Sequence, residues 1–216
     1  MKKLLCSALF LFAATALLPA DEVALFQIRF GKEKLLRPVA IELYEADAPV
    51  TTQNFKKLVR DGFYEGLSFH RVFPNMLVQV GDPKSKRKDR SEVGTGGPGY
   101  TLPAEIRRKH TRGAVAAARL PDKINPSRVS NGSQFYVALV ALPELDGQYT
   151  VFGNVLYGMD TLELISNKPT DSNDNPVERI EIRETKLLPR EQLPPPPAPV
   201  DPAAKPAKKP WWKIFG

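Results

Sequence analysis

The chain has 216 residues, 42% of them hydrophobic and 25% charged, with a net charge of +7. That is enough for one domain with a proper core plus appendages. A single cysteine, Cys6, excludes a disulfide framework within the chain, and His70 and His110 lie too far apart to form a ligand-spaced metal cluster.

The first segment reads as a leader. Met1-Lys2-Lys3 is a positive start, Leu4 to Leu18 is apolar and uncharged, and Ala20 precedes Asp21-Glu22. This pattern predicts a signal peptide over residues 1–20 and an exported protein, periplasmic or secreted. The apolar run is short for a membrane span, so an uncleaved membrane anchor is the weaker alternative. Cleavage would remove Lys2, Lys3 and Cys6, lowering the net charge to +5 and leaving no thiol chemistry.

Val23 to Phe30 alternates apolar and polar residues, Gly31 to Lys34 reads as a turn, and Val39 to Tyr44 reads as a second strand. Together they predict an opening antiparallel hairpin. Pro49 suits a first helical turn. Phe55, Leu58 and Val59 share one face of the expected helix, with Lys56, Lys57 and Arg60 turned away and Gly62 as its stop. Short strands are expected at 68–72, 77–80, 113–118, 134–139 and 149–155, a second helix at 159–166, and a closing strand at 177–185. This pattern predicts a mainly β domain over residues 21–188: a closed or nearly closed antiparallel barrel with helices at its ends. From Pro189 the composition turns proline-rich, with Pro194 to Pro197 consecutive. Residues 189–216 are expected to be an extended, disordered tail. The tail ends in Trp211-Trp212-Lys213-Ile214-Phe215, a segment suited to a membrane interface or a protein partner.

Four blocks carry a resemblance. Phe69-His70-Arg71 leads through Pro74, Met76, Leu77 and Gln79 to Gly81-Asp82. Gly94 to Tyr100 forms a glycine-rich loop. Asn131-Gly132-Ser133-Gln134-Phe135-Tyr136 is the third block. Leu145-Asp146-Gly147 continues through Val151-Phe152-Gly153 to Gly158-Met159-Asp160. In order and spacing, over roughly residues 23–184, these resemble the cyclophilin-type peptidyl-prolyl cis-trans isomerases. The resemblance implies an eight-stranded antiparallel barrel capped by two helices, filled with side chains, with substrate in a groove on the outside. It implies no cofactor and no metal, a monomer, and proline-containing polypeptides as substrates.

It also implies roles. Arg71 would be the catalytic cation, with Gln79 and Gln134 orienting it and holding the substrate backbone. Met76, Leu77, Tyr136 and Leu145 would wall the proline socket. Ala118 and Arg119 would accept the residues before proline, Tyr149 would form the far wall, and His70 would add to the substrate contacts. Met76 and Tyr136 stand where the family usually has phenylalanine, Arg119 where asparagine is common, and Tyr149 where histidine is common. Glu144 stands where a tryptophan accompanies tight cyclosporin binding, so weak cyclosporin binding is expected. A binding module or chaperone that grips proline segments without turning them over is the competing reading.

Other signals are set aside. Gly94 to Gly99 fits G-x-G-x-x-G, but no helix follows it, so a nucleotide site is not expected. Asn131-Gly132-Ser133 is a sequon inside a core motif. The basic clusters at 84–90 and 107–112 read as solvated loops, with a basic rim for acidic clients or anionic lipid as the sharper alternative. Nucleic-acid binding is not expected of an exported protein.

Overall fold

The computed structural model describes residues 21–198. The leader and the final Trp211-Trp212 segment lie outside the described residues.

Strands β1 (Glu22–Phe30) and β2 (Arg37–Leu43) pair antiparallel as the opening hairpin. Helix α1 (Pro49–Arg60), β3 (Arg71–Phe73), β4 (Leu77–Val80), β5 (Thr101–Leu102) and β6 (Ala114–Ala117) follow. Then come β7 (Ser130–Asn131), β8 (Phe135–Ala138), β9 (Val151–Tyr157), helix α2 (Met159–Ser166) and β10 (Ile180–Pro189). One antiparallel sheet has the order β10-β1-β2-β9-β6-β8-β4-β3, and β5 and β7 form a small ribbon.

The sheet is not the fully closed barrel that the resemblance implies. The sheet is curled, but its edge strands β10 and β3 do not pair as a ladder. One isolated bridge, Ser68 to Glu181, crosses the seam. Beside it Gly66 N donates to Ile182 O (2.7 Å) and Phe69 N to Ile180 O (2.9 Å). Beyond Phe69 the edge turns elsewhere, because Val72 N donates to Asp174 O (2.9 Å) in the loop before β10. The stretch facing β10 is therefore too short for a ladder.

Helix α1 carries Pro49 in its first turn, but Ala48 offers no side-chain cap. A distant carboxylate replaces it. Glu105 accepts from Val50 N (3.0 Å), Thr51 N (2.9 Å) and the Thr51 hydroxyl (2.7 Å), meeting unpaired amides at the positive end of the helix dipole. Lys56, expected to face away, is instead 8% exposed and paired with Glu22 (3.0 Å) and Glu45. Its aliphatic stem is covered while its charge is matched.

Period-two alternation sorts the strands into two faces. Val72, Val78, Val80, Val115, Ala117, Phe135 and Val137 point into the curl, and join Phe26, Phe55, Tyr64 and Phe152 in the main core. Phe55 meets Phe135 edge-on with ring centroids 5.5 Å apart. The residues between them, Leu77, Ala114, Ala116, Tyr136 and Ala138, form a second apolar layer on the outside. Interior volume is thus filled by side chains. Past the expected boundary at 188, β10 runs to Pro189, and Leu193 packs against Val23, Leu25 and Ala40.

Candidate active site

Strand register assembles the outer face. Arg71 lies opposite Gln79, Gln79 opposite Tyr136, and Tyr136 opposite Ala116, so the four share one row across β3, β4, β8 and β6. The small Ala116 leaves room beneath the Tyr136 ring. A hollow of about 170 Å³ opens along this row, walled by Phe73, Met76, Leu77, Tyr136, Leu145 and Tyr149, with Arg71 and Gln79 at its rim. It is smaller than a drug-sized pocket and mostly apolar. A larger hollow of about 620 Å³ continues from it past Arg71, Gln79, Ala118 and Arg119 to Gln134 and the loop from Leu120 to Val129. The two share Arg71, Gln79, Ala118, Arg119 and Tyr149, and so form one groove.

Arg71 is exposed, and its guanidinium lies over the Phe73 ring, 4.6 Å from the centroid. No ion pair of Arg71 occurs among the described residues, so its N–H fork is open to a ligand. Phe73 supports it as a cation–π platform.

Behind the cation runs a polar relay. Gln79 Nε2 donates to Gln134 Oε1 (2.9 Å), and Gln134 Nε2 donates to Gly94 O (3.0 Å) and Gly96 O (2.7 Å). These carbonyls belong to the glycine-rich loop, which the buried Asp82 carboxylate pins by accepting from Gly94 N and Gly96 N. The loop thus orients a glutamine; after it, Thr101–Leu102 is a strand. Gly81 is fixed by close approach: at φ +102°, a Cβ there would sit 2.2 Å from Ser133 O. Asn131 of the sequon is also committed, accepting from Ser133 N and Gln134 N (3.0 Å each) and donating to Gly96 O (3.0 Å).

Arg119 is a strut. Its guanidinium stacks over Tyr149 at 4.6 Å, donates to Gln148 O (2.8 Å) and Leu120 O (2.9 Å), and pairs with Asp122. What it offers a ligand is its backbone. His70 is packed behind the groove, beside Gly94 and Gln134, and does not face it as the other ten expected site residues do. It is 3% exposed and lines neither hollow; its ring nitrogens face Gln134 and the Ser68 backbone but make no well-formed hydrogen bond among the described residues. Burial lowers its pKa despite the nearby Asp82 carboxylate, so it is neutral at pH 7. The basic clusters are largely paired within the fold: Arg108 binds Asp47 and covers Tyr44, Arg112 meets Glu163, and Lys84 reaches Glu92.

Sequence reasoning missed Phe73, although its place two residues from Arg71 on a strand puts both on one face. It also missed the wall from Leu120 to Val129, which carries no motif. His110, considered from the sequence only as a possible metal ligand, lines neither hollow but lies behind one wall, with Nε2 2.9 Å from the Tyr136 hydroxyl.

The family model described as cyclophilin type peptidyl-prolyl cis-trans isomerase/CLD matches residues 26–187. The chain belongs to the cyclophilin-type peptidyl-prolyl cis-trans isomerases. This cyclophilin is 35% identical over 160 residues to peptidyl-prolyl cis-trans isomerase-like 1 of Gibberella zeae, covering 74% of this chain and 94% of that one. It is 40% identical over 120 residues to a peptidyl-prolyl cis-trans isomerase of Helicobacter pylori, covering 54% and 66% of the two chains. A crystal structure of a cyclophilin-type isomerase from Cryptosporidium parvum, determined in the presence of the dipeptide Ala-Pro, matches with a TM-score of 0.64 at 27% identity, over 77% of this chain and 98% of that one.

Proposed function

We propose that this cyclophilin-type isomerase turns X–Pro bonds in its external groove during the folding of exported proteins, with Arg71 as the catalytic cation. The X–Pro bond has partial double-bond character and a rotation barrier of about 18–20 kcal/mol. Lowering it needs no nucleophile and no cofactor, only a site that binds the twisted amide better than either planar form. As the amide twists, the proline nitrogen recovers its lone pair and becomes an acceptor.

The observation that carries the assignment is a guanidinium with no ion pair among the described residues, at the rim of a mostly apolar hollow sized for a small ring. The prolyl ring anchors among Met76, Leu77, Tyr136 and Leu145. Gln79 and Gln134, held by the glycine loop, align the substrate backbone beside Arg71, and the Ala118–Arg119 backbone receives the residues before proline. Arg71 then donates to the pyramidal nitrogen. An acceleration of about 10⁵ would need roughly 7 kcal/mol of selective stabilisation, shared among these groups. A protease-coupled proline-peptide assay tests the assignment. Arg71→Ala should lower kcat/KM by about 10²–10³, the scale of one transition-state donor. Equal rates for Arg71→Ala and wild type would favour a binding module that does not turn substrate over.

The exported setting is supported by the leader pattern of residues 1–20, and membrane contact by the aromatic–basic end of the tail. Fractionating cells that express the full chain, or a chain ending at Leu193, tests both. A signal-processed protein whose membrane fraction vanishes on truncation is the expected result.

A further inference from the structure

Tyr136 has a hydroxyl that an apolar socket wall does not need, and the hydroxyl is buried. Burial pushes its pKa well above the usual phenol value, so it stays a neutral donor. Its partner is His110 Nε2 at 2.9 Å. The other ring nitrogen, Nδ1, lies 3.1 Å from Asp146 Oδ1. In neutral His110 a carboxylate can only accept, so Nδ1 carries the proton and Nε2 accepts from the tyrosine.

The same histidine is tied twice more to the turn that bears Leu145. His110 N donates to Asp146 Oδ1 (2.7 Å), and His110 O accepts from Leu142 N (2.9 Å). The amide N–H of His110 is the main reason the Asp146 carboxyl is held below its ordinary range. The His110 ring is fully covered and parallel to Tyr136, with Tyr149 edge-on to both. One buried side chain thus joins two separate walls of the small hollow, the strand wall of Tyr136 and the turn wall of Leu145.

We propose that His110 and Asp146 are positioning residues of the proline socket: acting through the Tyr136 hydroxyl, they hold its two walls at fixed separation before substrate arrives. The proposal rests on the reading of that hollow as the proline site. A preformed socket binds the ring without first ordering its walls. Both planar forms and the twisted form use the same ring contact, so the gain is uniform binding and appears in KM.

Steady-state isomerisation of a proline peptide, with KM and kcat resolved, tests this in folded full-length variants. His110→Phe and Tyr136→Phe should each raise KM about fivefold, the scale of one buried hydrogen bond, with kcat within twofold. The double variant should be no worse than either single one, because both remove the same link. Asp146→Asn keeps an oxygen that can accept both His110 bonds and should match wild type. Asp146→Ala, altered from the half-exposed end should His110→Phe fail to fold, should raise KM similarly. Multiplying KM effects in the double variant would overturn the proposal, as would a fall in Tm with unchanged KM. Leu145→Ala is the control for the site itself. If widening the hollow leaves KM unchanged, the socket reading fails and this inference with it; if Leu145→Ala raises KM but the His110 and Asp146 variants do not, this inference alone fails.

Discussion

In the proposed reaction Arg71 serves as a planar fork of donors as well as a charge. Arg71→Lys keeps the cation but loses the planar donors that rest on Phe73. It should retain less than a tenth of wild-type kcat/KM in the peptide assay, a loss above about 1.4 kcal/mol. Glu144 stands on the short turn before Leu145, where the resemblance ties cyclosporin affinity to tryptophan. Inhibition of wild type should be weak, and Glu144→Trp should strengthen it in a titration of isomerase activity. His70 predicts a pH dependence of stability. Its folded pKa is lowered by burial, so the unfolded chain takes up a proton first as pH falls. Its contribution is therefore complete above about 6.5 and is lost below that, at up to about 1.4 kcal/mol per pH unit until the folded pKa is reached. Melting curves between pH 8 and 5 should show Tm falling on the acid side, and His70→Phe should flatten that slope. That Arg71, Gln79 and Gln134 meet at one groove was legible in the sequence only through the motif resemblance, since no periodicity marks them out. His110 was not legible: its role appears only when loop 103–112, β8 and the turn at 143–146 meet, and no local pattern encodes that meeting.

Elements were read well where their own residues specify them. The hairpin of β1 and β2, helix α1 from Pro49 and helix α2 over 159–166 follow from periodicity and proline placement. Strand ends were less legible, because pairing partners set them. Ser68 was expected to open a strand but makes only an isolated bridge, and β10 outruns its alternation because β1 pairs with it as far as Pro189. The start of α1 shows the same limit. Its cap is Glu105, more than fifty residues downstream, and no capping motif signals it. Glu105→Ala should cost about 1 kcal/mol, the usual value of a cap. For a domain of this size that lowers Tm by about 2–4 °C. Scanning calorimetry would read it, and kcat/KM should stay near wild type, since Glu105 lines neither hollow.

For the whole molecule, the resemblance gave the eight strands and two helices but not the open seam, because closure turns on a few bonds between distant segments. Composition placed the end of the domain at 188, whereas side-chain contacts continue to Leu193. Arg190 N donates to Asp21 O (2.9 Å), its guanidinium meets Asp21 and Glu42, and Leu193 lies on the patch of Val23 and Leu25. A chain ended at Leu188 should therefore melt a few degrees below one ended at Leu193, with exposed ion pairs adding little to the lost apolar contact. The filled interior has a last consequence. If the outer hollow is the prolyl site proposed above, a polypeptide can be laid across it sideways, with both ends running on into solvent. No terminus has to be threaded, so a proline in mid-chain, or in a cyclic peptide with no ends at all, is as approachable as one in a short linear fragment.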